Sequence, residues 1–366
     1  MNSSRLRLLP MYQFLSLTST LLLSNLSHQA GAESNETLPQ FLDRTTILLD
    51  HLMVNYRPEL PAVYTRDRYA SGEVKKQQFK VTLMYGKLLK INEPEQSATM
   101  LVEVYLYWTD FRLTWNPDDF HGIKALLVNQ EKLWVPDVLP VDLINFRPNI
   151  LSERQNCLVA HNGSIVFFQS AVITFNCGIK SWAFPFDTQE CRIRMASRNF
   201  LTTEVDLIAS LFEGVTIEEM SNGEWEALEV WAEPGPNIRD NFGWEYPGAS
   251  MMFRVKRNST YYINAMILPS FMLTVLVMFG IFWSPVSEEN YMERLSLGFA
   301  AKLALLMILE ITADHLPRSK DVPILSFYVL ASLALMTSAI GAALFMAKFV
   351  PTTEIIIRRR YSLIST

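Results

Sequence analysis

The chain has 366 residues, 32 of them basic and 37 acidic, which gives a formal net charge of −5. This balance, without a basic stripe interleaved with aromatic residues, argues against a nucleic-acid partner. Five scattered histidines and three cysteines form no metal-ligand cluster, and we find neither a nucleophile–base pair nor a phosphate loop. The composition therefore predicts a protein that is not an enzyme and that holds no metal and no cofactor.

The first 32 residues have the features of a secretory signal peptide. Arg5 and Arg7 precede a leucine run at 21–23, and small residues follow at 30–32. The apolar stretch is short and interrupted by serines, so an uncleaved anchor is the less favoured alternative. We assign residues 1–32 to a signal peptide and residues 33–257 to an extracellular domain. Acceptor sequences for N-glycosylation begin at Asn35 and Asn162.

The spacing of apolar residues changes once along the predicted extracellular part of the chain. Apolar residues recur at helical spacing between residues 38 and 56, and Pro58 follows, which predicts one N-terminal helix. From about residue 79 to residue 255 the pattern consists of short alternating runs separated by turn clusters. This second pattern predicts an antiparallel β-sandwich.

Two cysteines of the predicted sandwich, Cys177 and Cys191, enclose thirteen residues. In an oxidising compartment they can form a disulfide, and closing a loop of this size stabilises the fold by about 3 kcal/mol on the chain-entropy model. The loop contains a proline between two aromatic residues, followed by an acid: Phe184, Pro185, Phe186 and Asp187. This tetrapeptide favours a tight turn whose apolar rings can dock on another surface. Cys157 is then unpaired, and we expect it to be buried.

The composition changes after Arg257. Residues 259–287 and residues 322–347 contain no Asp, Glu, Lys or Arg. Each run can cross about 30 Å of hydrocarbon as a helix that rises about 1.5 Å per residue. The two runs therefore predict membrane helices at about 261–283 and 322–348.

The segment between these runs, residues 293–316, is apolar enough to insert but carries Lys302, Glu310 and Asp314. A charge at the centre of a membrane helix costs at least about 2.5 kcal/mol, so it normally faces protein or water. We therefore predict a water-lining helix here. The resulting assignment is an all-α membrane domain at 258–350 and a short, basic cytoplasmic tail at 351–366.

One face of this water-lining helix has an ordered chemistry. Steps of three and four residues select Glu293, Ser296, Ala300, Leu303, Met307, Glu310 and Asp314. In a ring of such helices the acids at both ends would concentrate cations, and the Leu303 level could close by dewetting. We call these seven residues the pore stripe. Lys302 lies one step from Leu303, and the sequence leaves open whether it faces water or a neighbouring helix.

Several motifs together resemble the Cys-loop family of pentameric ligand-gated ion channels, and within it the nicotinic acetylcholine receptor subunits. They are the disulfide loop with its Phe-Pro-Phe-Asp core, residues 108–120, 134–137 and 223–226, and the segment from Glu293 to Pro317. The resemblance implies a ligand-binding sandwich followed by four membrane helices. Only three are visible before the end of the chain, so the fourth is expected to be missing.

The resemblance also implies partners and a function. We expect a homo- or heteropentamer with four other subunits, placed in the lipid bilayer of the plasma membrane, with the synapse as a candidate location. A small-molecule neurotransmitter would open its pore. By the same resemblance Glu293 matches the intracellular selectivity ring, Leu303 the gate and Asp314 the outer ring. No Pro-Ala insertion precedes Glu293, which favours cations as the permeant ions.

The ligand-binding candidates that the resemblance implies are Tyr105, Val141, Arg198, Trp244 and Tyr246. Nicotinic members hold an ammonium group in a box of aromatic faces. Here Val141 and Arg198 fall where a tyrosine and the central tryptophan are usual, and Glu103 falls where the partner-face tryptophan is usual. An arginine would repel an ammonium group and prefer a carboxylate. The chain could therefore supply a complementary face, bind another transmitter or bind no agonist.

Coupling between the two domains is the last role that the resemblance implies. Arg257 matches the family's junctional arginine, and a charge at that position needs a partner. The candidate coupling residues are Phe184, Pro185, Phe186, Asp187 and Arg257. The alternative function, suggested by the missing helix, is a truncated, non-conducting subunit that binds full-length subunits and modulates their assembly.

Overall fold

The computed structural model describes residues 38–64, 76–283, 291–314 and 322–364. The predicted signal peptide and Asn35 lie outside these ranges. The side chains of Asp314 and of residues 346–364 are also outside the description.

An N-terminal helix, α1 (Leu38–Met53), forms where the sequence predicts it, and it ends shortly before Pro58. It belongs to a compact unit that also contains residues 117–123. Within that unit the rings of His51 and Phe120 lie 5.2 Å apart. The helix prediction is confirmed.

The second unit contains the strands and the C-terminal helices. Its strands within the described ranges are β1 (Gln77–Asn92), β2 (Ser97–Thr114), β3 (Ala125–Asn129), β4 (Leu139–Pro140), β5 (Leu143–Pro148), β6 (Asn156–Ala160), β7 (Asn162–Asn176), β8 (Thr188–Ala196), β9 (Val205–Leu211), β10 (Trp225–Pro234), β11 (Ile238–Arg239), β12 (Glu245–Tyr246) and β13 (Gly248–Arg257).

These strands form two main sheets. The first has the order β3-β6-β7-β2-β1-β9, with β5 also on β7, and the second has the order β10-β13-β8-β4. Pairing is antiparallel except between β1 and β9, which are parallel. Buried and half-buried residues largely alternate along β7, as expected for a strand with one face on a core. Phe175 of one sheet meets Phe253 of the other at 5.9 Å, so the predicted β-sandwich is confirmed.

The predicted disulfide is also confirmed. Cys177 directly follows β7 and Cys191 lies on β8, so the bond links the two sheets, with Cα atoms 5.1 Å apart. The peptide bond between Phe184 and Pro185 inside the loop is cis. Cys157 is free and buried, and burial raises the pKa of its thiol to about 12.

The helices after the strands begin directly at the end of β13. They are α3 (Thr260–Tyr262), a π-helical stretch (Ile263–Ile267) that continues into α4 (Leu268–Phe282), α5 (Tyr291–Asp314) and α6 (Ile324–Ile364); a short helix, α2 (Ile217–Met220), precedes β10. The last helix therefore continues beyond the predicted span and through Pro351. An apolar core joins α4, α5 and α6: Val277, Ile281, Ala301, Leu305, Val329, Leu333, Met336, Ala339 and Ile340.

Two of these helical segments, Thr260–Ile281 and Ile324–Phe345, are long and apolar enough to cross a membrane. Among the described helices α5 does not meet the same criterion, and its sequence carries the charged residues noted above. The number of membrane crossings therefore stays a prediction.

Candidate functional site

Arg257, the last residue of β13, is almost fully buried, with 3% of its surface exposed. Its Nε lies 2.8 Å from Oδ1 of Asp187, and its Nη1 lies 2.6 Å from Oε1 of Glu224. Its Nη2 lies 2.7 Å from Oε1 of Glu93. A guanidinium has five N–H donors in a planar fork, and here three carboxylates accept from them. The structure thus brings Arg257 and Asp187 together, with two further acids.

Aromatic rings enclose the same guanidinium. Its carbon lies 4.1 Å from the ring centre of Trp225, 4.9 Å from that of Phe184 and 5.5 Å from that of Tyr262. The Tyr262 hydroxyl accepts a hydrogen bond from Arg257 at 3.3 Å and donates one to Glu224 at 2.9 Å. Arg257, Glu93, Asp187, Glu224 and Tyr262 form what we call the junction cluster.

The partners of Arg257 in the junction cluster come from four parts of the fold. Glu93 lies in the turn between β1 and β2, Asp187 closes the disulfide loop, Glu224 directly precedes β10, and Tyr262 lies on α3. The cluster therefore joins both sheets to the first C-terminal helix through one buried charge.

Burial shapes the protonation of this cluster. It raises the pKa of Glu93 above its ordinary value, and the opposing effect of the Arg257 charge is smaller. Burial alone would lower the pKa of Arg257, but the hydrogen bond and charge of Asp187, with those of Glu93, raise it instead. The guanidinium consequently stays charged although it is removed from water.

The disulfide loop also contacts the helices directly. Phe184 is 1% exposed and packs in an apolar cluster with Tyr262, Met266 and Leu325. Its ring centre lies 4.9 Å from that of Tyr262, in an edge-on arrangement. The Trp182 carbonyl accepts a hydrogen bond of 2.9 Å from the backbone N–H of Ile324. Since α6 begins at Ile324, the loop satisfies one of the N–H groups that a helix start leaves without an intrahelical partner.

The pore stripe on α5 is exposed as far as its side chains are described. Glu293, Ser296, Ala300, Leu303, Met307 and Glu310 are all exposed, while Asp314 lies outside the described side chains. Ala301 and Leu305, toward the other side of the helix, are buried in the helical core. Lys302 is half-buried and stands about 100° from both Ala301 and Leu303, which places it on the flank of the stripe.

The structure brings four of the five ligand-binding candidates to one end of the second sheet and its neighbouring hairpin. The backbone N–H of Val141 donates to the Arg194 carbonyl at 2.7 Å. Gly248 pairs with Ala196 at the end of the β13–β8 register, and Tyr246 and Arg198 each lie two residues beyond this pair. Trp244 lies in the hairpin turn between β11 and β12. This group of strand ends is called the ligand edge.

Tyr105 lies elsewhere, on β2 of the other sheet. Its ring lies 5.4 Å from Phe168 and 6.1 Å from Tyr107, on the face that also carries Glu103. A single chain therefore does not bring Tyr105 together with the ligand edge. Asn162, the described glycosylation candidate, is exposed at the start of β7.

Sequence reasoning missed several residues of both sites. They are Glu93, Glu224, Trp225 and Tyr262 in the junction cluster, and Asp137 and Asp142 at the ligand edge. A buried arginine requires several hydrogen-bond acceptors, so the sequence indicates that Arg257 needs more partners than Asp187. It does not indicate which acids these partners are. Asp142 pairs with Arg194 through two contacts of 2.5 and 2.6 Å, and the Arg194 hydrogen bond lowers the pKa of Asp142.

Comparison with known proteins decides the family. The sequence model described as the neurotransmitter-gated ion-channel ligand binding domain matches residues 45–259, more than half of the chain. The chain belongs to the neurotransmitter-gated ion-channel family. The predicted Cys-loop resemblance is thereby confirmed, with the disulfide that characterises it. For this family member the described ligand edge and junction cluster both fall within or next to the matched region.

Relatives of this family member are neuronal acetylcholine receptor subunits. Subunit beta-3 of Homo sapiens is 30% identical over 303 residues, which cover 82% of this chain and 62% of the relative. Subunit alpha-5 of Rattus norvegicus is 29% identical over 269 residues, or 73% and 58%. Subunit beta-4 of Homo sapiens is 28% identical over 262 residues, or 71% and 51%. The chain thus spans between half and two thirds of the length of these relatives, and the nicotinic-like character is confirmed.

Proposed function

We propose that this chain is a subunit of a pentameric, cation-selective, neurotransmitter-gated channel of the plasma membrane. The observation that carries the proposal is the junction cluster, in which one buried charge ties the ligand-binding sandwich to the helix that follows it. The other four subunits are copies of this chain or homologous subunits.

The junction cluster acts as the mechanical connection between ligand binding and the pore. Breaking a buried ion pair by removing one partner costs about 3 to 5 kcal/mol, so the contacts are costly to separate. A displacement of the β1–β2 turn or of the disulfide loop therefore moves α3 with it. Phe184 and the Trp182 carbonyl pass the same displacement to α6.

The pore is lined by the exposed stripe of α5. In a ring of five helices Glu293 and Glu310 form acidic rings that concentrate cations, and Leu303 with Met307 forms an apolar constriction between them. Lys302 lies on the flank of the stripe, about 100° from Leu303, and is half-buried.

Ion substitution tests this function. The chain is expressed alone and with a neuronal acetylcholine receptor subunit, and current and surface arrival are recorded together. We expect the reversal potential to follow sodium rather than chloride. Glu293→Gln should lower the preference for cations several-fold, because a ring of negative charge is lost, whereas Glu226→Gln in the sandwich should not change it.

Two results would contradict the proposal. A reversal potential that follows chloride would exclude cation selectivity. Surface trapping of the partner subunit, with permeation unaffected by Glu293→Gln, would instead support the non-conducting subunit that modulates assembly.

A further inference from the structure

Two exposed asparagines of the described ranges begin a tripeptide of the type Asn-X-Ser/Thr, which is the acceptor for N-linked oligosaccharides. One tripeptide is residues 162–164, where Asn162 opens β7. The other is residues 258–260, where Asn258 directly follows β13. The acceptor at Asn35 lies outside the described ranges. The structure therefore allows a direct comparison of two acceptors in one chain.

The two acceptors have the same local geometry. The side-chain Oδ1 of Asn162 accepts a hydrogen bond from the backbone N–H of Ser164 at 3.0 Å. The Oδ1 of Asn258 accepts one from the backbone N–H of Thr260 at 3.2 Å. Each asparagine thus closes the same short side-chain turn. The Nδ2 group of neither asparagine donates a hydrogen bond to a residue in the described parts of the chain. Local geometry consequently does not distinguish the two acceptors.

The surroundings of Asn162 suit a glycan. Strand β6 ends at Ala160 and β7 begins at Asn162, so the acceptor lies at the turn of a hairpin of the sandwich. The backbone of this turn is held in place, because the His161 N–H donates to the Lys124 carbonyl at 2.9 Å and the Trp115 N–H donates to the His161 carbonyl at 3.1 Å. A glycan on an exposed turn extends into solvent and displaces no packed side chain.

The surroundings of Asn258 do not suit one. Thr260, the third residue of this acceptor, is also the first residue of the segment Thr260–Ile281 that is able to cross a membrane. On the other side Arg257 is buried in the junction cluster, and the Asn258 N–H donates to the Glu224 carbonyl at 2.7 Å. The acceptor is therefore confined between the sandwich and the membrane. A transferase that binds all three residues in water would have to draw Thr260 out of this segment.

We propose that Asn162 carries an N-linked oligosaccharide and that Asn258 does not. The modification requires passage through the secretory lumen. The disulfide between Cys177 and Cys191 supports such a passage, because disulfides form in oxidising compartments. The inference goes beyond the proposed function, since it concerns the synthesis and the surface of the chain and does not depend on ion conduction.

The modification is a group transfer from a lipid-pyrophosphate-linked oligosaccharide. Nδ2 of Asn162 forms a bond to C1 of the first sugar, and the bond between that C1 and the pyrophosphate oxygen breaks. The amide loses one proton, and the lipid pyrophosphate leaves with the bonding electrons. The amide keeps its carbonyl oxygen, so the turn at Ser164 can still form after the transfer.

Gel mobility of the full-length chain from secretory-competent cells, before and after enzymatic release of N-linked glycans, tests the proposal. All variants carry Asn35→Gln, so that the two described acceptors are observed alone. Asn162→Gln should lose the mobility shift of one glycan, and Asn258→Gln should keep it. Enzymatic release converts a glycosylated asparagine to aspartate. Peptide mapping should find this conversion at position 162 and not at position 258.

Two further variants separate loss of the acceptor from a general folding defect. Ser164→Ala keeps the asparagine but removes the hydroxyl that the acceptor needs, so it should also lose the shift. Ser164→Thr preserves the acceptor and should keep the shift. Equal mobility of these two variants would show that the shift does not arise from the tripeptide at 162–164.

Three results would overturn the proposal: a shift that survives Asn162→Gln, a shift that is lost with Asn258→Gln, or no N-linked glycan on the chain that keeps both described acceptors. Current from the same cells separates this proposal from the proposed function. A conducting assembly without a glycan at Asn162 would refute this proposal alone. A chain glycosylated at Asn162 that never contributes to a conducting assembly would refute the proposed function alone.

Discussion

At the residue scale, the junction cluster shows how a buried charge becomes a connection between domains. Arg257 is tolerated in the interior because carboxylates accept from its donors and aromatic faces cover the plane of its fork. Each carboxylate belongs to a different segment of chain. Loss of the arginine would leave three acids together with no opposite charge among them. The residue therefore holds these segments as a set.

Glu93 should make the stability of the protein depend on pH. Its folded-state pKa is raised by burial, so the protonated form is favoured in the fold. Protonated Glu93 contributes fully to the stability of the fold below the unfolded-state pKa of about 4.3. This contribution is lost as the pH rises through the folded-state pKa of Glu93. We expect the unfolding free energy of the unmodified chain, relative to Glu93→Gln, to increase as the pH falls from 7 toward 4.5.

Denaturant unfolding of both chains at a series of pH values checks this expectation. Glu95→Gln, at an exposed acid of the same turn, serves as the control. A difference between Glu93→Gln and the unmodified chain that stays constant with pH, or shrinks toward acid, would contradict the assignment.

At the element scale, the disulfide loop carries the contact with the helices through one of its two phenylalanines. Phe184 is 1% exposed and Phe186 is 53% exposed, so the sequence motif alone could not tell them apart. The loop and its bond were predictable because cysteine spacing and turn chemistry are local properties. The choice of ring depends on where the helices lie, which is a property of the tertiary structure.

Substitution of the two rings should therefore have unequal effects. Phe184→Ala should lower the unfolding free energy by about 3 to 5 kcal/mol, because it leaves a cavity between the loop and the helices. Phe186→Ala should change it by less than about 1 kcal/mol. Thermal or denaturant unfolding of the solubilised chain measures both, and equal losses would show that Phe184 is not the anchoring ring.

The first predicted membrane helix contains a π-helical break next to Pro269. Pro269 has no N–H, so it removes the bond that a regular helix would make to the carbonyl of Ala265. A π-helical stretch precedes Pro269, and the Tyr328 hydroxyl of α6 donates to the Ile267 carbonyl at 3.3 Å. The Ser270 hydroxyl lies within hydrogen-bonding distance of Tyr328 at 3.1 Å. The π stretch itself was not predicted, because it depends on these bonds rather than on apolar periodicity.

Tyr328→Phe should destabilise the helix around the π-helical stretch. Removal of one hydroxyl that is bonded inside the helices should lower the unfolding free energy by about 1 kcal/mol. Hydrogen exchange of the backbone around the π stretch should also become faster. Tyr261→Phe, at an exposed tyrosine of α3, is the matched control, and identical exchange in the two variants would contradict the role of Tyr328.

At the scale of the whole molecule, the fold was largely predictable and the sites were predictable only in part. Alternating runs predicted the sandwich, and uncharged runs predicted two helices able to cross a membrane. The parallel pairing of β1 with β9 was not predicted, since register between distant strands leaves little local signal. Glu93 and Asp187 lie 94 positions apart in the sequence and meet on Arg257 only after folding. The acidic partners of a buried arginine are therefore the part that sequence reasoning misses.

The central claim is that the junction cluster transmits ligand binding to the pore, and one recording tests it most directly. The chain is assembled with a neuronal acetylcholine receptor subunit, and acetylcholine-gated current is measured per receptor at the cell surface. Arg257→Gln should reduce this current at least tenfold, because the connection to α3 is lost. Arg254→Gln, which removes a half-buried arginine three residues before Arg257 on β13, where it pairs with Glu229, should leave it within twofold. Undiminished current per surface receptor with Arg257→Gln would contradict the account.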